Sequence, residues 1–341
     1  MPSTRVVVFV AAALGLAALA ASAAVVLTRN AAEPVAGDVI AYSCKEQGNR
    51  WYAICSIETD GTEQLSLTSD RLATSDPAWS PDGRRIAFTR NQDEGESTTF
   101  TSDEVFVMDA DGSDVRQLTP EEIGKSSGQP TWSPDGNEIA YVRGESVASV
   151  VPSRYGQLFV VNADGGDARR ITDGHPDTDP DWSPDGRAIA FTRGENLSNS
   201  KANDDLYVLD LATGATHQLT RTPPGVFEAA AAWSPDGSLI AFARVTGTSQ
   251  FDGRASIYVI NRDGTGERLV LEHKLFAYAP YSLAWSPDGR SIAFETSSMI
   301  GCTSISVVGS DEGSPRALTT CTRPIESSAA LVWQPAADQA G

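Results

Sequence analysis

Histidine is nearly absent from this chain of 341 residues, with three copies at His175, His217 and His273. No Gly-x-Ser-x-Gly segment occurs, so the strained turn that exposes a nucleophilic serine is missing. No Cys–His spacing suits zinc, and there is no glycine-rich phosphate loop. The sequence therefore names no catalytic residue and no resident metal. Positive charge is also scarce: 26 Lys and Arg stand against 45 Asp and Glu, for a net charge of −19. That excludes nucleic acid as a partner, because phosphate binding needs clustered Lys and Arg. It also disfavours anionic lipid surfaces and suits a soluble exported protein.

Only one long apolar run is present, the 22 uncharged residues Val6 to Leu27 behind Arg5. As a helix at ~1.5 Å per residue this run spans roughly 33 Å, enough for a bilayer core. Ala21-Ser22-Ala23 also fits a signal-peptidase site, with cleavage near Ala23. Residues 1–27 are read as a signal peptide or a transmembrane anchor, and 28–37 as a tether. The rest is expected in the cell envelope or secreted, touching membrane only through that segment.

Cysteine is limited to four copies, in keeping with export. Cys44 and Cys55 flank one predicted turn, and Cys302 and Cys321 flank another. Three pairings are open to four cysteines. Placement across a hairpin favours Cys44–Cys55 and Cys302–Cys321, with four free buried thiols as the rival arrangement.

What the chain has in abundance is repetition. Trp-Ser-Pro-Asp-Gly begins at Trp79, Trp132, Trp182, Trp233 and Trp285, and a worn copy stands at Trp333-Gln334-Pro335. The spacings are 53, 50, 51, 52 and 48 residues, the period of a repeated structural unit. Ser-Pro-Asp-Gly is a tight turn: proline presets φ, Asp bonds the local backbone, and Gly takes the left-handed position. After it comes an Ile-Ala-aromatic strand, such as Ile86-Ala87-Phe88 or Ile240-Ala241-Phe242. A second hairpin with an Asp- and Gly-rich turn follows, for example Val105 to Thr119. Four short antiparallel strands in about 50 residues make a propeller blade.

The first unit, from Val39, lacks the tryptophan strand, and Leu331-Val332-Trp333 supplies it at the other end. The expected fold is an all-β, six-bladed propeller over 38–336, with the C-terminal strand completing the N-terminal blade and 337–341 as a tail. Closure of this kind leaves no free sheet edge.

These residues resemble the TolB-type β-propeller repeat family: the five pentapeptides, the Ile-Ala-aromatic strands, and the pairs Leu67-Thr68, Leu118-Thr119, Leu219-Thr220 and Leu318-Thr319. The resemblance covers nearly 300 residues. It implies an exported propeller, here without the further N-terminal domain of TolB, and it allows a cation on the axis. Similar repeats also form the substrate-gating propellers of prolyl-oligopeptidase-like peptidases.

In such a fold the tryptophan strand lines the axis. The residue three before each Trp reads Asp76, Gln129, Asp179, Ala230, Ser282 and Ala330. Asp76, Gln129 and Asp179 are the candidate ligand site, for a cation such as calcium or for an amine; no other cofactor is expected. The acidic segment Asp173 to Asp181 reads as a stiff loop that has metal-capable oxygens and His175. The loops opposite the tight turns differ in every unit and carry Asp93, Glu94, Glu96, Arg154, Tyr155 and Phe251 as candidate partner contacts. The reading that follows is a monomeric, non-catalytic envelope scaffold gripping a protein or peptide through those loops. The alternative is a metal-assisted hydrolase or lyase acting at the axial channel.

Overall fold

The computed structural model describes residues 39–44, 52–68, 72–91, 103–122, 124–145, 156–194, 203–246, 254–273, 282–297, 303–311, 313–319 and 331–335. The N-terminal segment, the six loop residues named above, Ala330, Cys302 and Cys321 lie outside them. Among the described residues there is no helix, so none is long and apolar enough to cross a membrane.

Among the described residues the strands form four-stranded antiparallel meanders, referred to as blades 1 to 6. Blade 1 runs outward through Leu331–Trp333, Val39–Cys44, Ala53–Glu58 and Leu65–Ser66. Blades 2 to 6 begin at the inner strands Thr74–Trp79, Lys125–Trp132, Asp177–Trp182, Val226–Trp233 and Leu283–Trp285. A single parallel bridge, Asp204 to Phe227, joins blades 4 and 5 into one sheet. Each inner strand touches the next, and Leu331–Trp333 touches both Leu283–Trp285 and Thr74–Trp79, so the series closes into a ring around an axis.

Alternation along each Ile-Ala-aromatic strand explains how the blades stack. Side chains of a strand point alternately to opposite faces. Ile189 and Phe191 join Trp182 in one core with Ala140 and Val142 of the preceding blade. Ala190, on the other face, packs with Trp233, Ile240 and Phe242 of the following blade. The small face of each blade thus receives the large face of the next. The ring closes the same way, where Ala284 and Ala293 meet Ile40 and Tyr42.

Two polar devices repeat with the blades. A threonine just beyond the outer strand ties it to strand three: the hydroxyls of Thr68, Thr119, Thr172, Thr220 and Thr319 accept the N–H of Ile54, Val105, Leu158, Leu206 and Ile305 at 2.8–3.0 Å. In the Ser-Pro-Asp-Gly turn the Ser hydroxyl bonds the Asp carboxylate at 2.6–2.7 Å, and the Asp accepts the N–H two residues on. Gly at φ near +70° packs on the proline of the preceding turn at Gly136, Gly186, Gly237 and Gly289. At the ring closure Gly83 meets Gln334 instead, whose amide donates to the Gly83 carbonyl at 3.3 Å. The worn repeat therefore keeps the contact with a different residue.

The Ser hydroxyl, and next the backbone N–H, hold Asp135, Asp236 and Asp288 below the ordinary carboxylate range. A depressed folded pKa adds stability above the unfolded value near 4 and loses it as pH falls. Asp236→Asn should lower Tm by about 1–3 °C at pH 7, with the gap to wild type closing by about pH 3 in a thermal scan. An equal gap at both pH values would show that the charge is not involved.

Cys44 and Cys55 form a disulfide across the first hairpin of blade 1, with their Cα atoms 5.8 Å apart. It holds the strand on which Leu331–Trp333 closes the ring. Removing both cysteines should cost about 2–3 kcal/mol in urea unfolding. A cost near zero would mean that the hairpin needs no cross-link.

Candidate functional site

The inner strands surround an axial cavity of about 330 Å³. Its wall includes Asp76, Gln129, Asp179, Ala230 and Ser282, the residues three before each tryptophan. In four consecutive blades this position is left-handed: Asp76 at φ 52°, Gln129 at 54°, Asp179 at 50° and Ala230 at 58°. The ladder register slips at the same place, between Ser75 and Ala78, Gly128 and Thr131, Thr178 and Asp181, and Ala229 and Ala232. An extra residue in one strand bends it locally and re-aims its side chains. Strained backbone of this kind in non-glycine residues clusters at functional sites. Prolines Pro77, Pro130 and Pro180 follow the bend, and they suit it because the residue within the bulge leaves its ladder position.

The polar groups are linked from blade to blade. Gln129 donates its side-chain amide to Asp179 Oδ1 at 3.2 Å, and its Oε1 accepts the Asp179 N–H at 3.0 Å and the Thr178 hydroxyl at 2.9 Å. Asp179 Oδ2 accepts the Ala230 N–H of the next blade at 3.1 Å. Asp76 accepts the Ser75 hydroxyl at 2.9 Å. The three residues singled out from sequence are thus neighbours on one arc of the wall.

A fourth polar residue, Asp181, stands beside them. Its Oδ2 accepts the Trp233 N–H at 2.6 Å, and its Oδ1 accepts the Thr131 hydroxyl at 3.4 Å. Burial pushes its carboxyl up to about 6, against the smaller opposing pull of those bonds. Such a group exchanges protons near neutrality, as a general acid or base must. Sequence reasoning missed it, although a signal existed. The residue preceding each Trp reads Ala78, Thr131, Asp181, Ala232, Ala284 and Val332, so one blade alone has a carboxyl there.

Trp79, Trp233, Trp285, Pro81, Pro235 and Pro335 also line the cavity. The repeated motif is therefore scaffold and cavity wall at once, rather than lying wholly apart from the functional region.

Metal fits this wall poorly. Among the described residues no three His, Cys, Asp or Glu side chains come together to hold an ion. The acidic segment Asp173 to Asp181 does not gather either. Asp173 pairs with Arg170, and Asp177 is fully buried against Arg193 at 2.6 Å. A second cavity, of about 560 Å³, lies at Lys125, Arg143, Phe159, Arg170 and His175. Its charges are mostly neutralised in pairs, Lys125 with Glu145, Arg143 with Glu122 and Arg170 with Asp173. Glu104, which burial pushes up to about 7, lies outside the axial wall.

Comparison with known proteins adds to this geometry. Residues 35–198 match the TolB beta propeller domain, and residues 150–249 match the dipeptidyl peptidase IV N-terminal region. The chain is 30% identical over 102 residues to the uncharacterized peptidase YuxL of Bacillus subtilis, covering 30% of this chain and 14% of that protein. It is 29% identical over 156 residues to the Tol-Pal system protein TolB of Anaeromyxobacter dehalogenans, covering 42% of this chain and 32% of that protein. The chain thus spans a third or less of these curated relatives.

Among solved structures, TolB from Acinetobacter baumannii superposes with a TM-score of 0.63 at 20% identity, over 87% of this chain and 67% of that one. Puromycin hydrolase gives 0.55 at 16% identity, over 85% and 53%. A manganese complex of oligogalacturonate lyase gives 0.52 at 17%, over 79% and 73%. At such identities these three speak to the fold.

These findings correct the expectation of a non-catalytic scaffold. The match to a peptidase relative and to a peptidase N-terminal region counts against that reading. The expectation was drawn from missing nucleophile motifs, which say nothing of relatives recognised over the repeat itself.

Proposed function

We propose that this chain, a TolB-type β-propeller by the match of residues 35–198, hydrolyses a peptide-like amide bond in its axial cavity with Asp181 as the proton-transfer group. The observation that carries this reading is the Asp181 carboxyl, held at two points in the cavity wall and pushed up to about 6. Above that value Asp181 is an anion and a stronger base than an ordinary aspartate. It accepts a proton from water as the water oxygen bonds the amide carbonyl carbon. The carbon–nitrogen bond then breaks, and the same proton passes from Asp181 to the departing nitrogen. No step runs through a metal, because the donor set does not suit one.

The peptidase and puromycin hydrolase likenesses support an amide substrate. A uronide lyase reaction fits less well, since its polyanionic substrate would meet Asp76, Asp179 and Asp181 with no Lys or Arg in the described wall. The test is release of aniline from a panel of aminoacyl and peptidyl anilides by the purified full-length chain. If release does not exceed that of an Asp181→Asn control on any substrate, the hydrolytic reading fails.

An envelope location with envelope partners is part of the same proposal. The Tol-Pal relatives and the Cys44–Cys55 disulfide support it. Residues 6–27 would then anchor the chain or be cleaved from it. The variable loops with Asp93, Glu94, Glu96, Arg154, Tyr155 and Phe251 are the proposed contacts for a partner.

A further inference from the structure

The axial cavity has two unlike halves. Blades 2 to 4 line it with Asp76, Gln129, Thr131, Asp179 and Asp181. Blades 5, 6 and 1 line it with the run Ala230–Ala232, Leu283, Ala284, Leu331 and Val332. No Lys, Arg or His is among these described wall residues. A pocket that is apolar on one side and carries a few convergent polar groups on the other is the ordinary form of a small-ligand site. Its volume, about 330 Å³, is at the small end of the range of about 300–1,000 Å³ for such sites. That suits a ligand of one or two residues rather than a threaded chain.

We propose that this cavity binds a primary amine bearing a compact apolar group, with the ammonium toward Asp76 and Asp179 and the apolar group against the alanine run. The proposal names the substrate end for the hydrolysis argued above and rests on that reading only for turnover.

The chemistry follows from the wall. An ammonium has three donors, and an ionised carboxylate offers about four lone-pair sites. Asp179 accepts from Gln129 and the Thr178 hydroxyl through Oδ1 and from the Ala230 N–H through Oδ2, and those bonds fix its orientation in the cavity wall. Asp76 accepts the Ser75 hydroxyl through Oδ2. Both carboxylates flank Gln129, whose own amide is engaged with Asp179. Charge-assisted bonds of this type are the strong ones. Beside Asp179, blade 5 has three alanines where blades 3 and 4 have Gln129-Pro130-Thr131 and Asp179-Pro180-Asp181. Short side chains there leave room for an aliphatic group and give it apolar contact. An anion or a strongly polar body would find partners on neither side.

Calorimetry on the full-length chain tests this with L-leucinamide, N-acetyl-L-leucinamide and glycinamide. Leucinamide should bind, acetylation should weaken it at least tenfold, and glycinamide should bind about tenfold more weakly. Asp179→Asn and Asp76→Asn should each weaken leucinamide about tenfold. The second variant disturbs one hydrogen bond only and keeps the test open if the first fails to fold. Equal binding of the free and acetylated amides, or no binding of leucinamide, overturns the amine site; equal binding of glycinamide overturns the apolar half. The two readings fail separately. Leucinamide binding without hydrolysis of leucine anilide keeps the amine site and sinks hydrolysis, whereas equal hydrolysis of free and acetylated anilides does the reverse.

Discussion

Asp181→Asn should lower turnover of a cleavable anilide by about 100-fold or more, since positioned proton transfer contributes about 10²–10⁴. The same change should raise stability at pH 8. The folded pKa of Asp181 is pushed up to about 6, above the ordinary value of 3.8. A raised carboxyl contributes stability fully below the unfolded value, and that contribution is lost as pH rises through the folded value. Wild type therefore carries an ionised, desolvated carboxylate at pH 8, and asparagine removes that cost. The gain should be up to about 2 kcal/mol in urea unfolding at pH 8 and close to zero at pH 4. Asparagine can still accept the Trp233 N–H, so the strand stays in place. Turnover in wild type should rise about tenfold per pH unit below about 6 and level off above it. A flat profile through pH 6, or a variant as active as wild type, would remove Asp181 from the chemistry. Loss of activity together with a gain in stability is the signature that separates a functional carboxyl from a structural one.

Arg244→Met should cost about 3–5 kcal/mol, because it orphans a buried carboxylate. Arg244 bonds Glu228 Oε1 at 2.6 and 2.9 Å and Glu267 at 2.6 and 2.8 Å. Its guanidinium also lies over Phe242 and Tyr258, at 5.3 and 4.6 Å. The Glu228 side chain is wholly buried, and it further accepts the Leu206 N–H at 3.0 Å and the Thr220 hydroxyl. Burial raises its pKa even with the arginine present. Without Arg244 the carboxylate is left in a low-dielectric site with one N–H and one hydroxyl, which do not replace a cation. The sign follows: the variant's deficit should shrink as pH falls and Glu228 takes up a proton, and grow as pH rises. Glu228→Gln combined with Arg244→Met should recover part of the loss, since it removes the orphaned charge. A single variant within 1 kcal/mol of wild type at pH 8, measured by urea unfolding, would show that the pair has little structural weight.

The site was partly legible before the fold. Asp76, Gln129 and Asp179 could be placed on the axis because the tryptophan strand is recognisable and lies innermost. Asp181 was not singled out. Its proton affinity depends on Thr131, 50 residues earlier, and on the Trp233 N–H, 52 residues later. The amphipathic cavity needed all the inner strands side by side. Enzyme-type relatives were equally invisible to a search for nucleophile motifs.

Taken alone, the sequence determined the blade. Turn residues, the alternation of Ile, Ala and aromatic, and the spacing of tryptophans act over a few neighbouring positions, and a strand's period of two turns such a pattern directly into two faces. It also determined the closure, because one inner strand was missing at the beginning and present at the end. Only the tertiary structure decided the left-handed bends at Asp76, Gln129, Asp179 and Ala230, the link from Gln129 through Asp179 to the next blade, and the state of the Asp181 carboxyl. These depend on desolvation and on partners about 50 residues away, and a chain brings such groups together only when its blades pack.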